Sequence, residues 1–439
     1  MAVGLPDSVI DEFLDFLEGK LVAGSIEPNV APGTALSMTA PAKAQNLMKY
    51  PIRFPFLLSF ILLPLTLGGR AEDSRAGGYR SVADRIANRS YPSIFQAWNP
   101  ADNLADEDPL VTAARHDLIF HGASFYGLVW DNANEGLATG FTPESLADAP
   151  ARRDALMRLN PNLILIMEIR YRDAREDFLG AGHGWWRRDE NDELVMGWEE
   201  GGFIQMDYSN PDFRGHVARR AAAAIASGAV DGIMLDWWDE DEDRLALVRT
   251  IREQIGSDAL ILVNANDREI PMTAAYINGL FMECYRSGSA AEWSRIENTL
   301  IWAEAHLRAP RINCLETWFH HSRSDLDLMR ATTTLVLTRS EGYALFSDPN
   351  PLPKPDHLHD WYDFWDADAG VPVAAGETWP DGSVRRSFSN GMVVYNRMGN
   401  PPVAVRFERP MFSVATGQTS VEHEVPSSDG DIFLKSTDN

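Results

Sequence analysis

From residue 90 onward, short apolar runs recur along the chain with helical stretches between them. SIFQAW at 93, DLIFHG at 117, NLILIMEIR at 162, GIMLDW at 232, LILVNA at 260, GLFMECY at 279, RINCLETWF at 311 and GYALFSD at 342 make eight. Continuous apolar runs mark strands buried on both faces, the habit of parallel sheets. Strands that alternate with helices imply βαβ units. Eight units in succession predict an α/β fold, a (β/α)8 TIM barrel. The helical partners carry their own punctuation: PESLADAPARRDALMRLN has Pro143 near its start, FRGHVARRAAAAIASG is rich in alanine, and DEDRLALVRTIREQIG stops on a glycine. FYGLVWD, at 125–131, competes with DLIFHG for the second strand position.

The pattern changes after the proline-rich stretch Asp348 to Pro355 and the aromatic run HDWYDFWDAD, which sets the barrel at 91–368. From 369 to 439 the helical period is lost, and short runs such as GMVVYN and PVAVRF are separated by Gly, Pro and Asn turns. They predict a small antiparallel C-terminal β-sandwich. At the other end, MKYPIRFPFLLSFILLPLTLGGRAED has a basic start, an apolar run from Phe54 to Leu67, and small residues before acidic ones. That is the layout of a signal peptide over 48–71, with Gly69 and Ala71 placed for a cut before Glu72. Residues 1–47 are then expected to be a mis-called extension and 72–90 a linker. The mature protein is expected to be secreted or periplasmic, without a membrane partner once the signal is cleaved.

Composition narrows the chemistry. In 439 residues the formal net charge is −25, which leaves no basic field for phosphates, so nucleic acid and anionic membrane surfaces are excluded as partners. Thirteen tryptophans raise the prospect of a carbohydrate substrate, because an indole packs well against the C–H face of a pyranose. Only Cys284 and Cys314 are present, which rules out a disulfide framework and multi-cysteine metal sites; two buried free thiols are expected, with a single bridge as the alternative. The acidic run Asp239 to Asp243 lacks the glycine and downstream glutamate of an EF-hand loop and reads as a helix start. His320 and His321 belong to no HExxH pattern, and neither a Gly-rich phosphate loop nor a GxSxG elbow occurs. No cofactor and no metal are expected.

In a TIM barrel the active site lies at the carboxyl ends of the strands. Those ends are acidic: Glu168 and Arg170 on the third, Asp236 on the fourth, Asn264, Asn266 and Asp267 on the fifth, Glu283 on the sixth and Glu316 on the seventh. A glycosidic bond is hydrolysed by one carboxylic acid that protonates the leaving oxygen and one carboxylate that attacks or activates water. Asp236 and Glu283 are the expected catalytic pair. Glu316 is the rival for the acid, and Glu168 the supporting neighbour, paired with Arg170. Trp98, Trp130, Asp131, Arg170, Trp237, Asn264, Asn266 and Trp318 are expected to line the substrate site. The loop GHGWWRRDENDELVMGW, at 182–198, is long enough to cover the cleft.

These residues resemble a known group, the hypothetical glycoside-hydrolase-like TIM barrels (glycosyl hydrolase-like family 15 type) related to endo-α-1,4-polygalactosaminidases. The likeness runs from about Tyr91 to the C-terminus and is most specific in MDYSNPDFRGHVARRAAAAIASGAVDGIMLDWWD, at 206–239, which is similar to the D-x-S-N-P, helix, D-G-x-x-L-D passage of those barrels. It continues through VNAND and INGLFMECY. The resemblance implies that the Asp ending the DG strand and the Glu ending a later strand are catalytic, and these correspond to Asp236 and Glu283, with Asn278 in place of the usual acid before glycine. LETW on the seventh strand and the doubled tryptophan depart from the pattern, so the sugar is not carried over. The expected function is a glycoside hydrolase acting on a poly- or oligosaccharide. The alternatives are a glycan-binding barrel without activity and, third, a polysaccharide lyase using Arg170 and Arg286. Linkage, stereochemistry and oligomeric state are not written in these motifs.

Overall fold

Each of the eight apolar runs becomes a strand of one parallel sheet. In the computed structural model, which describes residues 79–349 and 356–435, the strands are β1 (Phe95–Ala97), β2 (Leu118–His121), β3 (Ile164–Glu168), β4 (Gly232–Leu235), β5 (Leu260–Asn264), β6 (Gly279–Cys284), β7 (Cys314–Trp318) and β8 (Tyr343–Ser347). They pair in chain order, and a parallel bridge from Ile94 to Ala344 brings β8 back to β1 and closes the barrel. The expected signal peptide at 48–71 and the expected extension at 1–47 lie outside the described residues. Among the described residues no helix is long and apolar enough to cross a membrane.

The helices are α1 (Val82–Ala87), α2 (Pro109–Ala114), α3 (Pro143–Leu159), α4 (Pro211–Ala226), α5 (Glu242–Ile255), α6 (Ala290–His306) and α7 (Leu326–Arg339). Their starts are written in the sequence. Thr142 and Asn210 cap α3 and α4 ahead of a proline at the first helical position, Asp241 caps α5, and Ser289 with Glu292 forms a capping box on α6. The acidic run at 239–243 is thus consumed by a helix start, as expected. FYGLVWD forms a 3-10 turn over Ala123–Tyr126 and the loop after it, and DLIFHG supplies β2. Between β5 and β6 the chain makes only a single 3-10 turn, Ala274–Tyr276.

Gly232 shows why β4 begins on a glycine. A Cβ there would come within 2.5 Å of the Leu260 carbonyl oxygen on β5, so any side chain would push the two strands apart. One boundary is corrected. Residues 82–87, assigned to the linker, form α1, and its Arg85 is buried beneath the barrel in an ion pair with Asp231. Six residues are too few for a helical period to show, and the anchor lies far along the chain.

Phe95, Phe120 and Phe281 meet from β1, β2 and β6 with ring centroids 5.0–5.9 Å apart, filling the barrel below its carboxyl rim. The C-terminal strands are β9 (Glu377–Thr378), β10 (Val384–Phe388), β11 (Gly391–Asn396), β12 (Val403–Ser413), β13 (Thr419–Val425) and β14 (Asp429–Lys435). They make one continuous antiparallel sheet in the order β9-β10-β11-β14-β12-β13. It curls so that Val394, Val403, Val405, Val425 and Phe433 share a small core of their own. Cys284 and Cys314 are free, buried thiols; Cys314 stands opposite Phe281 in the register of β6 and β7, not opposite Cys284.

Candidate active site

Five successive strands, β3 to β7, put a polar side chain at or next to their carboxyl ends. Asp236 directly follows β4, Asn264 ends β5, and Glu283 lies one residue before the end of β6. The Asn264 side-chain amide donates to Asp236 Oδ1 at 2.9 Å and to Glu283 Oε2 at 2.8 Å. These two bonds tie three neighbouring strands together. They keep those two carboxyl oxygens within about 5.7 Å of each other. Asn264 is itself held by Asn266, whose backbone N–H donates to its Oδ1 at 3.2 Å and whose side chain reaches the Glu283 carbonyl at 2.9 Å.

The two acids hold their protons differently. Burial, and then the charge of Glu168, push Asp236 up to about 6, while Asn264, Arg170 and the Trp237 N–H pull the other way. Burial pushes Glu283 up to about 8, with Glu316 and Asp236 adding to it and His357 and Asn264 opposing. Asp236 is therefore the readier of the two to ionise, and Glu283 the readier to keep its proton. Since the amide donates to Oε2, Oε1 is left to carry the proton. Both residues keep partial access to solvent.

Glu316 is placed differently. It is sealed from solvent at 0% exposure, accepts from the Ser347 hydroxyl, and faces Nδ1 of His357 through both oxygens, at 2.9 and 3.0 Å. Glu283, Glu316 and His357 bring ligand-type atoms within 4.8 Å of one another, a donor set worth weighing for a cation. Burial would lower the proton affinity of His357, but Glu316 outweighs it and carries the ring up to about 10. As they stand, the three groups form a His357–Glu316 pair beside a second acid, Glu283.

Glu168 ends β3 with Oε2 accepting from the Trp98 indole N–H at 2.9 Å and Oε1 lying 3.3 Å from Arg170 Nε, as the expected ion pair. Trp98 packs between Phe120, at 4.8 Å, and the His357 ring, at 5.0 Å. Trp237 is half exposed beside the acids; its carbonyl accepts from the Tyr171 hydroxyl and from Arg244, and Arg172 covers its ring at 4.4 Å. Its neighbour Trp238 is wholly buried in the core. Trp318 sits half-buried against the exposed Tyr285, ring centroids 5.7 Å apart. Arg170 also lines a cavity of about 310 Å³ with Glu135, Arg175, Phe178 and Phe203, which adjoins the acids through Glu168.

Backbone strain gathers at the same rim. Trp98, Trp237, Asn266 and His357 have φ of 47°, 53°, 51° and 57°, in the left-handed region that bulky residues avoid. Such conformations persist where surrounding structure holds them for function. Trp130 lies on the far side of Glu135, which lines the Arg170 cavity. Trp130 is buried against Phe141 and the Arg220 guanidinium, at 4.1 and 4.0 Å, and Asp131 is exposed, its backbone paired with Gly140. The 182–198 loop is pinned rather than loose: bridges Trp186 to Met206, Arg188 to Leu194 and Met196 to Ile204 fold it as a ribbon. His357 and Ser347 were not picked out by strand-tip reading. The alternating histidines of DHLHD, at 356–360, were the available signal for the first.

No family model matches this sequence, and no curated protein does. Among solved structures the chain is similar to a noncanonic maltogenic α-amylase, AmyB, from Thermotoga neapolitana, at 12% identity over 79% of this chain and 99% of that one, with a TM-score of 0.49. It is also similar to an α-amylase from Lactobacillus plantarum, at 11% identity over 81% and 100%, with a TM-score of 0.49. A third is a cyclic α-maltosyl-(1→6)-maltose hydrolase from Arthrobacter globiformis, at 10% identity over 81% and 100%, with a TM-score of 0.45. These identities are low, and no residue role is carried across from them.

Proposed function

We propose that this protein is a glycoside hydrolase of the retaining type, with Asp236 as nucleophile and Glu283 as acid and then base. The observation that carries this is the shared amide: one Asn264 side chain holds two partly exposed acids with their bonded oxygens no more than about 5.7 Å apart, a limit compatible with the roughly 5–5.5 Å carboxyl spacing of a double displacement. Glu283 protonates the glycosidic oxygen as Asp236 attacks the anomeric carbon, so the bond to the aglycone breaks as the glycosyl ester forms. Glu283, now ionised, takes a proton from water as that water displaces Asp236. Glu316, sealed and held by His357, has no path to a sugar, which favours Glu283 for the acid. Trp237, Trp318 and Tyr285 offer ring surface at the rim for sugar faces. The likeness to polygalactosaminidase-related barrels points the same way for the pair and leaves the sugar to be found.

A panel of poly- and oligosaccharides, read by released reducing ends, should yield at least one substrate. On it, Asp236→Asn and Glu283→Gln should each lose at least about 10²-fold in kcat, with circular dichroism unchanged. Proton NMR of the first product should show the anomeric configuration of the substrate. Full activity in either variant, or an inverted product, would overturn the assignment.

A further inference from the structure

His357 comes from none of the barrel strands, yet it sits in the site. It follows β8 in the 356–366 segment, is 2% exposed, and is held with φ of 57°. Its Nδ1–H donates to both oxygens of Glu316, its Nε2 lies 3.6 Å from Asp356, and its ring packs on Trp98 and Phe281. We propose that His357 is the positioning residue of the acid: a ring clamped to both oxygens of Glu316, with atoms of all three groups within 4.8 Å of one another, that fixes what Glu283 faces and so governs when that carboxyl releases its proton. This rests on the reading of Glu283 as proton donor.

The charges around Glu283 can be named strand by strand. Asp236 faces it from β4 and Glu316 from β7; Asn264, from β5, is a neutral donor; Glu168, from β3, acts on Asp236. Against these acids His357 is the cation that faces Glu283 among the described residues. Without it, Glu283 would face the Glu316 carboxyl with no opposing cation and would hold its own proton more tightly. With it, the charge of Glu316 is balanced in place. Burial alone would expel a proton from the ring; Glu316, Glu283 and Asp356 together reverse that.

Two removals then differ. His357→Gln takes the facing positive charge from Glu283 and should move the alkaline limb of the kcat/KM profile upward by about one pH unit or more. Glu316→Gln removes the carboxylate together with the partner that keeps the ring charged, so the same limb should move much less. A merely structural role would lower activity in both without moving the limb in His357→Gln, and a limb that stays put there would overturn the proposal. A second arm needs neither substrate nor a folded variant: nitrogen-15 histidine NMR of the intact protein should show both ring nitrogens of one buried histidine protonated from pH 6 to about 9. A neutral ring at pH 7 for the histidine coupled to Glu316 would refute it while leaving the glycosidase reading untouched. Conversely, full activity in Glu283→Gln would strike that reading and leave the imidazolium result standing.

Discussion

The Asn264 amide is a small device with a large consequence, because it holds together two acids whose burial and neighbouring charges give them different proton affinities. Asp236 must be ionised and Glu283 protonated for turnover, and they sit at about 6 and about 8. The kcat/KM profile should therefore be a bell, rising as Asp236 loses its proton near pH 6 and falling as Glu283 loses its own near pH 8. Asn264→Ala removes a donor that favours the ionised form of both, so both limbs should move to higher pH; a profile unchanged by that substitution would sever the amide from the mechanism. Much of this was legible at residue scale, since acidic strand tips announce themselves. What was not legible was which acid is open and which is sealed. Glu283 and Glu316 look alike in sequence, and only His357, forty-one residues past Glu316, separates them. The surroundings of Trp130 were hidden for the same kind of reason: Arg220, on α4, lies over its ring.

At the scale of elements, the octapeptide DGIMLDWW carries an acid at each end for different purposes. Asp236 serves the rim. Asp231, at the foot of β4, accepts from Arg85, Arg153 and the Leu165 backbone N–H. Burial pushes its carboxyl up, but Arg153 and Arg85 outweigh that and hold it below the usual carboxylate range. The β-strands were readable because a short, unbroken apolar run between turn residues suits a strand buried on both faces, and the longer helices because their caps are explicit. α1 was unreadable because its reason for existing is this distant pair. Arg85→Ala strips a partner from a buried charge and should cost about 3–5 kcal/mol in urea unfolding at pH 7. A loss under about 1 kcal/mol at pH 7 would make α1 an ornament.

At the scale of the whole molecule, the C-terminal sheet is bound to the barrel through charged groups that add partners across the joint to those they have within their own region. Arg330, on α7, pairs with Asp429 on β14, at 2.8 Å through two nitrogens, and Glu297, on α6, accepts from Arg339 on α7 and Arg397 just past β11, each at 2.7 Å. Gly430 leaves no room for a Cβ against Thr334, so β14 lies directly on the helix. Sequence alone separates the two regions by their periods but is silent on their joint, because each of these pairs crosses about 40 to 100 residues. Glu297→Ala should lower stability at pH 7 by about 3 kcal/mol, leaving two guanidiniums without their carboxylate. Burial raises the proton affinity of Glu297, but Arg397 and Arg339 outweigh it and hold the group below its ordinary value. Its contribution is thus fully present above the unfolded value near about 4.3 and is lost as pH falls through the folded one. The stability gap between wild type and Glu297→Ala, measured by denaturant unfolding, should accordingly be widest at neutral pH and shrink at pH 4 and below. A gap that stays constant down to pH 3 would mean that packing, not charge, joins the sheet to the barrel.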